Sequence, residues 1–76
     1  MAKTSPLHSG AYRRFLERLR KARLDADLTQ SAVAAALGKP ISYVSKCELG
    51  ERRVDVVELV AFARLYRKPL KYFVDP

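Results

Sequence analysis

The feature that most constrains this chain is a single glycine between two short segments that both follow the pattern of an amphipathic helix. Their apolar and small residues recur at spacings of three and four, which places them on one side of a helix. These residues are Val33, Ala34 and Leu37 before the glycine, and Val44 and Cys47 after it. Gly38 can adopt the left-handed backbone that ends one helix and redirects the chain into the next. Because Ala34 is small, the second helix can pack closely on the first.

Three further helices are predicted around this pair, and no segment has the alternating pattern of a strand. Good capping residues precede the helices at Ser9, Thr29 and Asp55, and Asp55 with Glu58 has the spacing of a capping box. Gly50 marks the end of the second helix of the pair. The predicted helices are residues 10–26, 30–37, 40–49, 56–67 and 70–73.

The length and composition fit one small domain. With 76 residues, of which 49% are hydrophobic, the chain can bury one core but not a second. We expect residues 10–76 to form this domain and residues 1–9, which contain Pro6 and no periodic pattern, to form a flexible N-terminal arm. The expected fold class is therefore an all-α, compact bundle of five helices.

The charge balance points to an anionic partner. Lysine and arginine number 15 against 8 acidic residues, which gives a formal net charge of +7 and a pI near 10.0. A domain this basic is attracted to polyanions, and nucleic acid and anionic membrane surfaces are the two candidates. Membrane binding is the weaker candidate, because the apolar helix faces are needed for the core and no run approaches the ~20 apolar residues of a membrane span.

Residues that carry enzymatic or metal chemistry are sparse. One cysteine and one histidine exclude an internal disulfide and provide no metal-ligand spacing. No nucleophile is paired with a base, and no glycine-rich phosphate loop is present, so we expect neither an enzyme nor a cofactor or small-molecule site. The unpaired Cys47 and the lack of an apolar N-terminal signal fit a cytoplasmic protein.

The order of residues in and around the two paired helices resembles the Xre/Cro, lambda-repressor-like helix-turn-helix family. The residues that carry the resemblance are Leu28, Thr29, Gln30, Val33, Ala34, Leu37, Gly38, Ser42, Tyr43, Val44, Ser45, Lys46, Glu48, Gly50, Glu51, Arg52 and Arg53. The similarity covers about residues 12–73, and it implies a five-helix fold, sequence-specific binding to double-stranded DNA and a two-fold homodimer. The positions that depart from the family pattern are Asp27, where glycine is frequent, Lys39, where a small apolar residue is frequent, and Lys68, where an apolar residue is usual.

By this resemblance, the helix at 40–49 is the one that enters the major groove. Its outer face is made of Ser42, Ser45, Lys46 and Leu49, and the alternative for the two serines is a solvated face. Lys46 can donate to guanine or to a phosphate, Ser42 can read either base type, and Ile41 can contact a thymine methyl group. The alternative for Ile41 is packing on the preceding helix. The expected base-contacting residues are Ile41, Ser42, Tyr43 at the flank of the helix, and Lys46.

Residues around both ends of this helix are the expected phosphate contacts. The resemblance implies that Gln30 binds a phosphate, assisted by the free N–H groups at the start of its own helix. Basic residues flank the groove helix on both sides, and a solvated loop is the alternative for the two arginines. The expected phosphate-contacting residues are Gln30, Lys39, Ser45, Arg52 and Arg53.

Two further sets of residues have expected structural roles. The resemblance implies an ion pair between Arg23 and Glu48, since an unpaired carboxylate near the inner face of a helix is costly. Cys47 shares a face with Val44 and is expected to be buried as a small hydrophobe. An apolar strip on the outer side of the fourth helix suggests a dimer surface. The alternative is that these are scattered exposed valines without a partner. The expected members of the dimer surface are Val54, Val57, Ala61, Phe73 and Val74.

These observations predict a sequence-specific transcriptional regulator, a repressor, that binds a double-stranded DNA operator. The alternative is an interaction protein such as an antitoxin, whose main task is to sequester a toxin and which binds DNA to regulate its own expression.

Overall fold

Five α-helices make up the regular structure of residues 9–75, the part of the chain that the computed structural model describes. They are α1 (Gly10–Asp25), α2 (Gln30–Leu37), α3 (Ile41–Leu49), α4 (Val56–Tyr66) and α5 (Leu70–Val74). This range contains no strand, so the predicted all-α bundle of five helices is confirmed. The observed helix ends lie within one residue of the predicted ones. Of the predicted N-terminal arm, Ser9 alone lies within the described range.

Side-chain caps start the first, second and fourth helices where the sequence predicts them. The hydroxyls of Ser9 and Thr29 each accept a hydrogen bond from the backbone N–H three residues later, at 3.1 and 3.0 Å. At α4, the Asp55 carboxylate accepts from the backbone of Glu58 at 2.8 Å, and the Glu58 carboxylate accepts from the backbone of Asp55 at 2.9 Å. Each such cap stabilises its helix by about 1 kcal/mol.

Left-handed backbone residues follow the first four helices and redirect the chain. Gly38 after α2 has φ 67° and Gly50 after α3 has φ 80°, as expected for glycines beyond helix ends. Asp27, which occupies a position where the resembled family often has glycine, has φ 62°, and Arg67 after α4 has φ 58°. Residues with a Cβ atom are strained in this left-handed conformation, although aspartate tolerates it better than most of them.

Replacing Arg67 by glycine is expected to raise the melting temperature by roughly 3–6 °C. Glycine raises the free energy of unfolding by about 1–2 kcal/mol because it removes the left-handed strain. It lowers the same quantity by roughly 0.4–1 kcal/mol because the unfolded chain gains conformational freedom, and the difference sets the shift in melting temperature. The Arg67 side chain is exposed. Arg67→Ala is the control, because alanine keeps the Cβ and should bring no gain. A glycine variant that melts at or below the wild-type temperature would contradict the interpretation that the backbone at Arg67 is strained.

All five helices contribute side chains to one core. The buried apolar residues are Leu19, Ala22, Val33, Ala34, Tyr43, Val44, Cys47, Phe62, Ala63, Tyr66 and Phe73. The ring of Phe62 stacks between Tyr43 on α3 and Tyr66 on α4, with centroids 6.0 and 5.8 Å apart. Offset aromatic stacking of this kind adds about 0.5–1.5 kcal/mol per pair to area burial, so this aromatic row fixes α3 against α4.

The departure from the family pattern at Lys68 is accommodated by two contacts. Its ammonium group lies 3.2 Å from the Asp25 carboxylate at the end of α1 and 4.5 Å from the centroid of the Tyr72 ring on α5. The hydrogen bond from Lys68 lowers the pKa of Asp25. Phe73, fully buried, anchors α5 in the core. The lysine therefore joins the ends of α1 and α5 at the surface while Phe73 supplies the apolar contact.

Candidate nucleic-acid interface

The helix pair α2–α3 is a closed unit around a sharp turn. Val33 and Ala34 on α2, and Val44 and Cys47 on α3, are all 0–1% exposed. The backbone N–H of the residue after Gly38 donates to the carbonyl of Ala34 at 2.9 Å, which closes the last turn of α2. Since the turn is fixed by this bond and by the left-handed glycine, the direction of α3 relative to α2 is set locally.

The opposite side of α3 is open. Ile41 and Leu49, at the two ends of the helix, are 67% and 63% exposed, and Ser42 and Lys46 between them are also exposed. Ser45 is half-buried at the margin of this face. The exposure of Ile41 shows that it does not pack on α2, which was the alternative prediction. The outer face of α3 therefore presents two apolar ends around a polar and cationic centre.

Tyr43 is not part of this open face. Its side chain is 8% exposed and stacks on Phe62 with an angle of 10° between the rings. The prediction that Tyr43 contacts a base is wrong, because the ring lies in the core between α3 and α4. Desolvation by burial raises the pKa of its phenol.

Basic residues lie at both ends of α3. Lys39 precedes the helix and is exposed, and Arg52 and Arg53 follow it. The Arg52 guanidinium lies 2.8 Å from a Glu58 carboxylate oxygen, and its side chain remains 43% exposed. The Arg53 guanidinium lies 5.4 Å from the centroid of the Tyr12 ring. Each arginine therefore contacts a side chain of the domain while it remains exposed in the loop after α3.

Gln30 lies at the first turn of α2 and is tied to α3. Its amide Nε2 donates to Glu48 Oε1 at 3.0 Å, which leaves its other N–H and its carbonyl oxygen unused by that bond. The second amide N–H of Gln30 therefore stays available for the phosphate contact that the resemblance implies.

An ion pair inside the domain holds α3 against α1, as the family resemblance implies. Arg23 Nε lies 2.7 Å from Glu48 Oε2 and Nη2 lies 3.2 Å from Oε1, and the two side chains are 9% and 3% exposed. Arg23 Nη1 also donates to the carbonyl of Leu28 at 2.9 Å. The hydrogen bond to Glu48 raises the pKa of the Arg23 guanidinium. One guanidinium therefore links α1, the loop before α2, and α3.

Cys47 is buried as predicted, and desolvation raises the pKa of its thiol. A thiol with a raised pKa is a poor nucleophile, so this residue acts as a core side chain.

The predicted dimer surface is only partly at the surface of the domain. Phe73 is 1% exposed, so its assignment to a dimer interface is wrong, since it fills the core beneath α5. Val57 and Val74 are 74% and 64% exposed, whereas Val54 and Ala61 are half-buried. Val56, which is not among the predicted dimer residues, is 69% exposed. A groove of about 500 Å³ runs between α1, the start of α4 and the end of α5, and Val56, Val74 and Phe73 are among its lining residues.

No helix in residues 9–75 is both long enough and apolar enough to cross a membrane. The same residues contain no group of three or more histidine, cysteine, aspartate or glutamate side chains placed to hold a metal ion.

A family match agrees with the geometry of α2 and α3. The model of the Helix-turn-helix family HTH_3 matches residues 19–73, which is more than half of the chain and includes both helices and the glycine turn. No curated protein matches the chain. The matched family consists of DNA-binding regulators. The chain therefore belongs to the Xre/lambda repressor-like helix-turn-helix family of DNA-binding proteins.

Proposed function

We propose that this protein is a transcriptional repressor that binds a specific double-stranded operator as a homodimer, with α3 of each protomer in a major groove. The exposure pattern of α3 carries the proposal, because Ile41, Ser42, Lys46 and Leu49 face outward while Val44 on the other side is fully buried. An α-helix about 10–12 Å across fits the major groove, which is about 12 Å wide.

The residues on this face suggest how bases are read. Lys46 can donate to the O6 and N7 acceptors of guanine, and the Ser42 hydroxyl can donate to or accept from either base type. Ile41, 67% exposed at the start of the helix, suits contact with a thymine methyl group. We therefore expect each half-site to contain a guanine and a thymine at positions that α3 reaches.

The phosphate contacts are proposed to come from Gln30, Lys39, Ser45, Arg52 and Arg53. The net charge of +7 supplies long-range attraction to the duplex, and the held arginines supply fixed donors at one end of α3. Phosphate contacts of this kind fix the register of a protein on DNA but carry no sequence information.

The dimer is proposed to form through exposed valines at the start of α4 and the end of α5. Val56, Val57 and Val74 are 64–74% exposed, and two of them line the groove beside α1. A two-fold interface uses the same patch on both protomers. The groove with Val56 and Val74 on one protomer would therefore face the same groove on the other. Occupation of an operator by such a dimer would exclude other proteins from the same DNA, which is the basis of the repressor assignment.

Selection of bound sites from a random pool of duplexes tests the proposal. We expect enriched sites with two half-sites of inverted symmetry, centred about 34–36 Å apart along the helix axis. If the dimer makes about eight phosphate contacts, the slope of log affinity against log salt on the selected site should be near −7. A selected site placed over a reporter promoter should lower transcription when the protein is expressed.

The outcomes separate the parts of the proposal. A pool without enrichment contradicts sequence-specific binding. Enriched sites without internal symmetry, together with a monomer in sedimentation at increasing concentration, contradict the dimer. An affinity that does not respond to salt contradicts the phosphate contacts, and a reporter that is activated contradicts the repressor assignment.

A further inference from the structure

Two cations from opposite ends of α3 meet at one buried ring. The Lys39 ammonium nitrogen lies 5.2 Å, and the Arg52 guanidinium carbon 4.9 Å, from the centroid of the Tyr43 ring. The ring is 8% exposed, and its position is fixed by the stack on Phe62 at 6.0 Å. Since the core immobilises the ring, both cations rest on a rigid support.

Arg52 is also held from a second direction. A Glu58 carboxylate oxygen lies 2.8 Å from Arg52 Nη1, and the other carboxylate oxygen of Glu58 accepts the backbone N–H of Asp55. Arg52 Nη1 further donates to the carbonyl of Arg53 at 3.1 Å. A guanidinium carries five N–H donors, and with its side chain 43% exposed Arg52 retains donors for an external anion.

A held cation binds a phosphate more favourably than a mobile one. Long basic side chains lose rotamer freedom when they bind, and this loss weakens the complex. The negative face of an aromatic ring attracts a cation electrostatically. The N–H groups of the cation that point away from the ring remain free to donate hydrogen bonds. Lys39 and Arg52 can therefore be ordered by the ring in the free protein and still donate to DNA.

We propose that Tyr43 is a positioning residue for DNA binding, whose ring holds Lys39 and Arg52 as a preorganised phosphate clamp beside α3. This inference rests on the proposed function. It gives Tyr43 a role that differs from the predicted base contact, since the side chain would act through the two cations and would not touch the DNA.

The test replaces Tyr43 by phenylalanine and by a ring-fluorinated phenylalanine. The two side chains have nearly the same shape, but fluorine withdraws negative charge from the ring face. The probe is a duplex of random sequence titrated at several salt concentrations, because phosphate contacts supply non-specific binding and no operator is needed. We expect the Tyr43→Phe protein to bind within about twofold of wild type, and the fluorinated protein to bind about three- to tenfold more weakly than Tyr43→Phe.

Paired backgrounds show whether the ring acts through the two cations. With both Lys39→Gln and Arg52→Gln in place, fluorination should change the affinity by less than about twofold, because the groups that the ring holds are gone. The matched control is Lys46→Gln, which removes a lysine of α3 that has no ring contact within residues 9–75. With Lys46→Gln in place, replacing the phenylalanine of the Tyr43→Phe protein by fluorinated phenylalanine should weaken binding by the same factor as it does when Lys46 is present. A purely structural effect of fluorine would lower the melting temperature and would weaken binding equally in every background.

Two results would overturn the inference. One is equal affinity of the fluorinated and Tyr43→Phe proteins for the duplex. The other is a loss of affinity on fluorination that persists when both Lys39→Gln and Arg52→Gln are in place. Both leave the proposed function intact if Lys46→Gln and Arg52→Gln each weaken binding in the wild-type background. If the wild-type protein does not bind the duplex at all, the proposed function fails and the inference fails with it.

Discussion

Replacing Glu48 by alanine is expected to lower the free energy of unfolding by about 3–5 kcal/mol. A chain of 76 residues typically has a total stability of roughly 4–11 kcal/mol, so this change would remove a large part of it. The loss should appear as a lower midpoint in urea denaturation and a lower melting temperature, both followed by circular dichroism.

The physical reason is the charge that alanine leaves behind. The Arg23 side chain is 9% exposed and has Glu48 as its counterion at 2.7 Å. Its remaining bond to the carbonyl of Leu28 satisfies one N–H but does not neutralise the guanidinium. Gln30 would also lose the carboxylate oxygen to which its amide donates. A buried charge without a partner costs more than the pair contributed, which makes the single substitution severe.

A matched double substitution separates the lost pair from the uncompensated charge. Arg23→Met with Glu48→Leu replaces both ions by apolar side chains of similar size, and such replacements are often neutral or stabilising. We expect the double variant to melt well above Glu48→Ala and close to wild type. If Glu48→Ala melts within about 4 °C of wild type, the uncompensated Arg23 charge does not destabilise the domain as expected. If the double variant is as unstable as the single one, the uncompensated charge is not the cause.

The helix ends and the turn could be predicted from the sequence because their signals are local. Ser9 and Thr29 cap helices through bonds to a backbone three residues away, and Asp55 does so within a capping box. Gly38 and Gly50 supply the left-handed conformation at their own positions. None of these features depends on a distant part of the chain, so residue type and spacing were sufficient.

Side chains whose environment comes from distant segments were predicted less well. Tyr43 lies next to Val44 in α3, and helical periodicity alone cannot decide whether a flanking residue is covered. Phe62 on α4 covers it. The sequence places Phe73 on the outside for the same reason, since α5 is too short for its periodicity to identify a buried face. The open position of Ile41, which is 67% exposed, likewise depends on how α2 packs against α3 and not on the periodicity of α3 alone.

The contacts of the basic residues had no local signal at all. Arg53 lies over Tyr12 of α1, and Arg52 lies over Tyr43 and beside Glu58. From the sequence, two arginines after a helix are compatible both with a phosphate clamp and with a solvated loop. The resemblance to a DNA-binding family favoured the clamp, and the packing of α1 and α4 supplies the side chains that hold the arginines.

Lys46→Glu is expected to weaken binding to the selected operator by about 100-fold or more, which corresponds to about 2.7 kcal/mol. The substitution removes a donor to guanine and places a carboxylate against acceptor groups and phosphates, where like charges repel by several kcal/mol. Lys46 is exposed, so the melting temperature should change little, with a small loss because the residue lies in the last turn of α3. Fluorescence anisotropy at fixed salt measures the affinity.

The chain offers a closely matched control in Lys71→Glu. Lys71 is the basic residue in the last turn of the five-residue α5, so both substitutions make the same chemical change in the last turn of a helix. Both also lower the net charge by two, and α5 packs against α1 and α4. We expect Lys71→Glu to cost less than about fivefold, because Lys71 is not among the proposed DNA contacts and the substitution acts on DNA through the long-range field of the protein. Equal losses in the two variants would mean that net charge, not the outer face of α3, controls binding, and no loss in either would place α3 outside the groove.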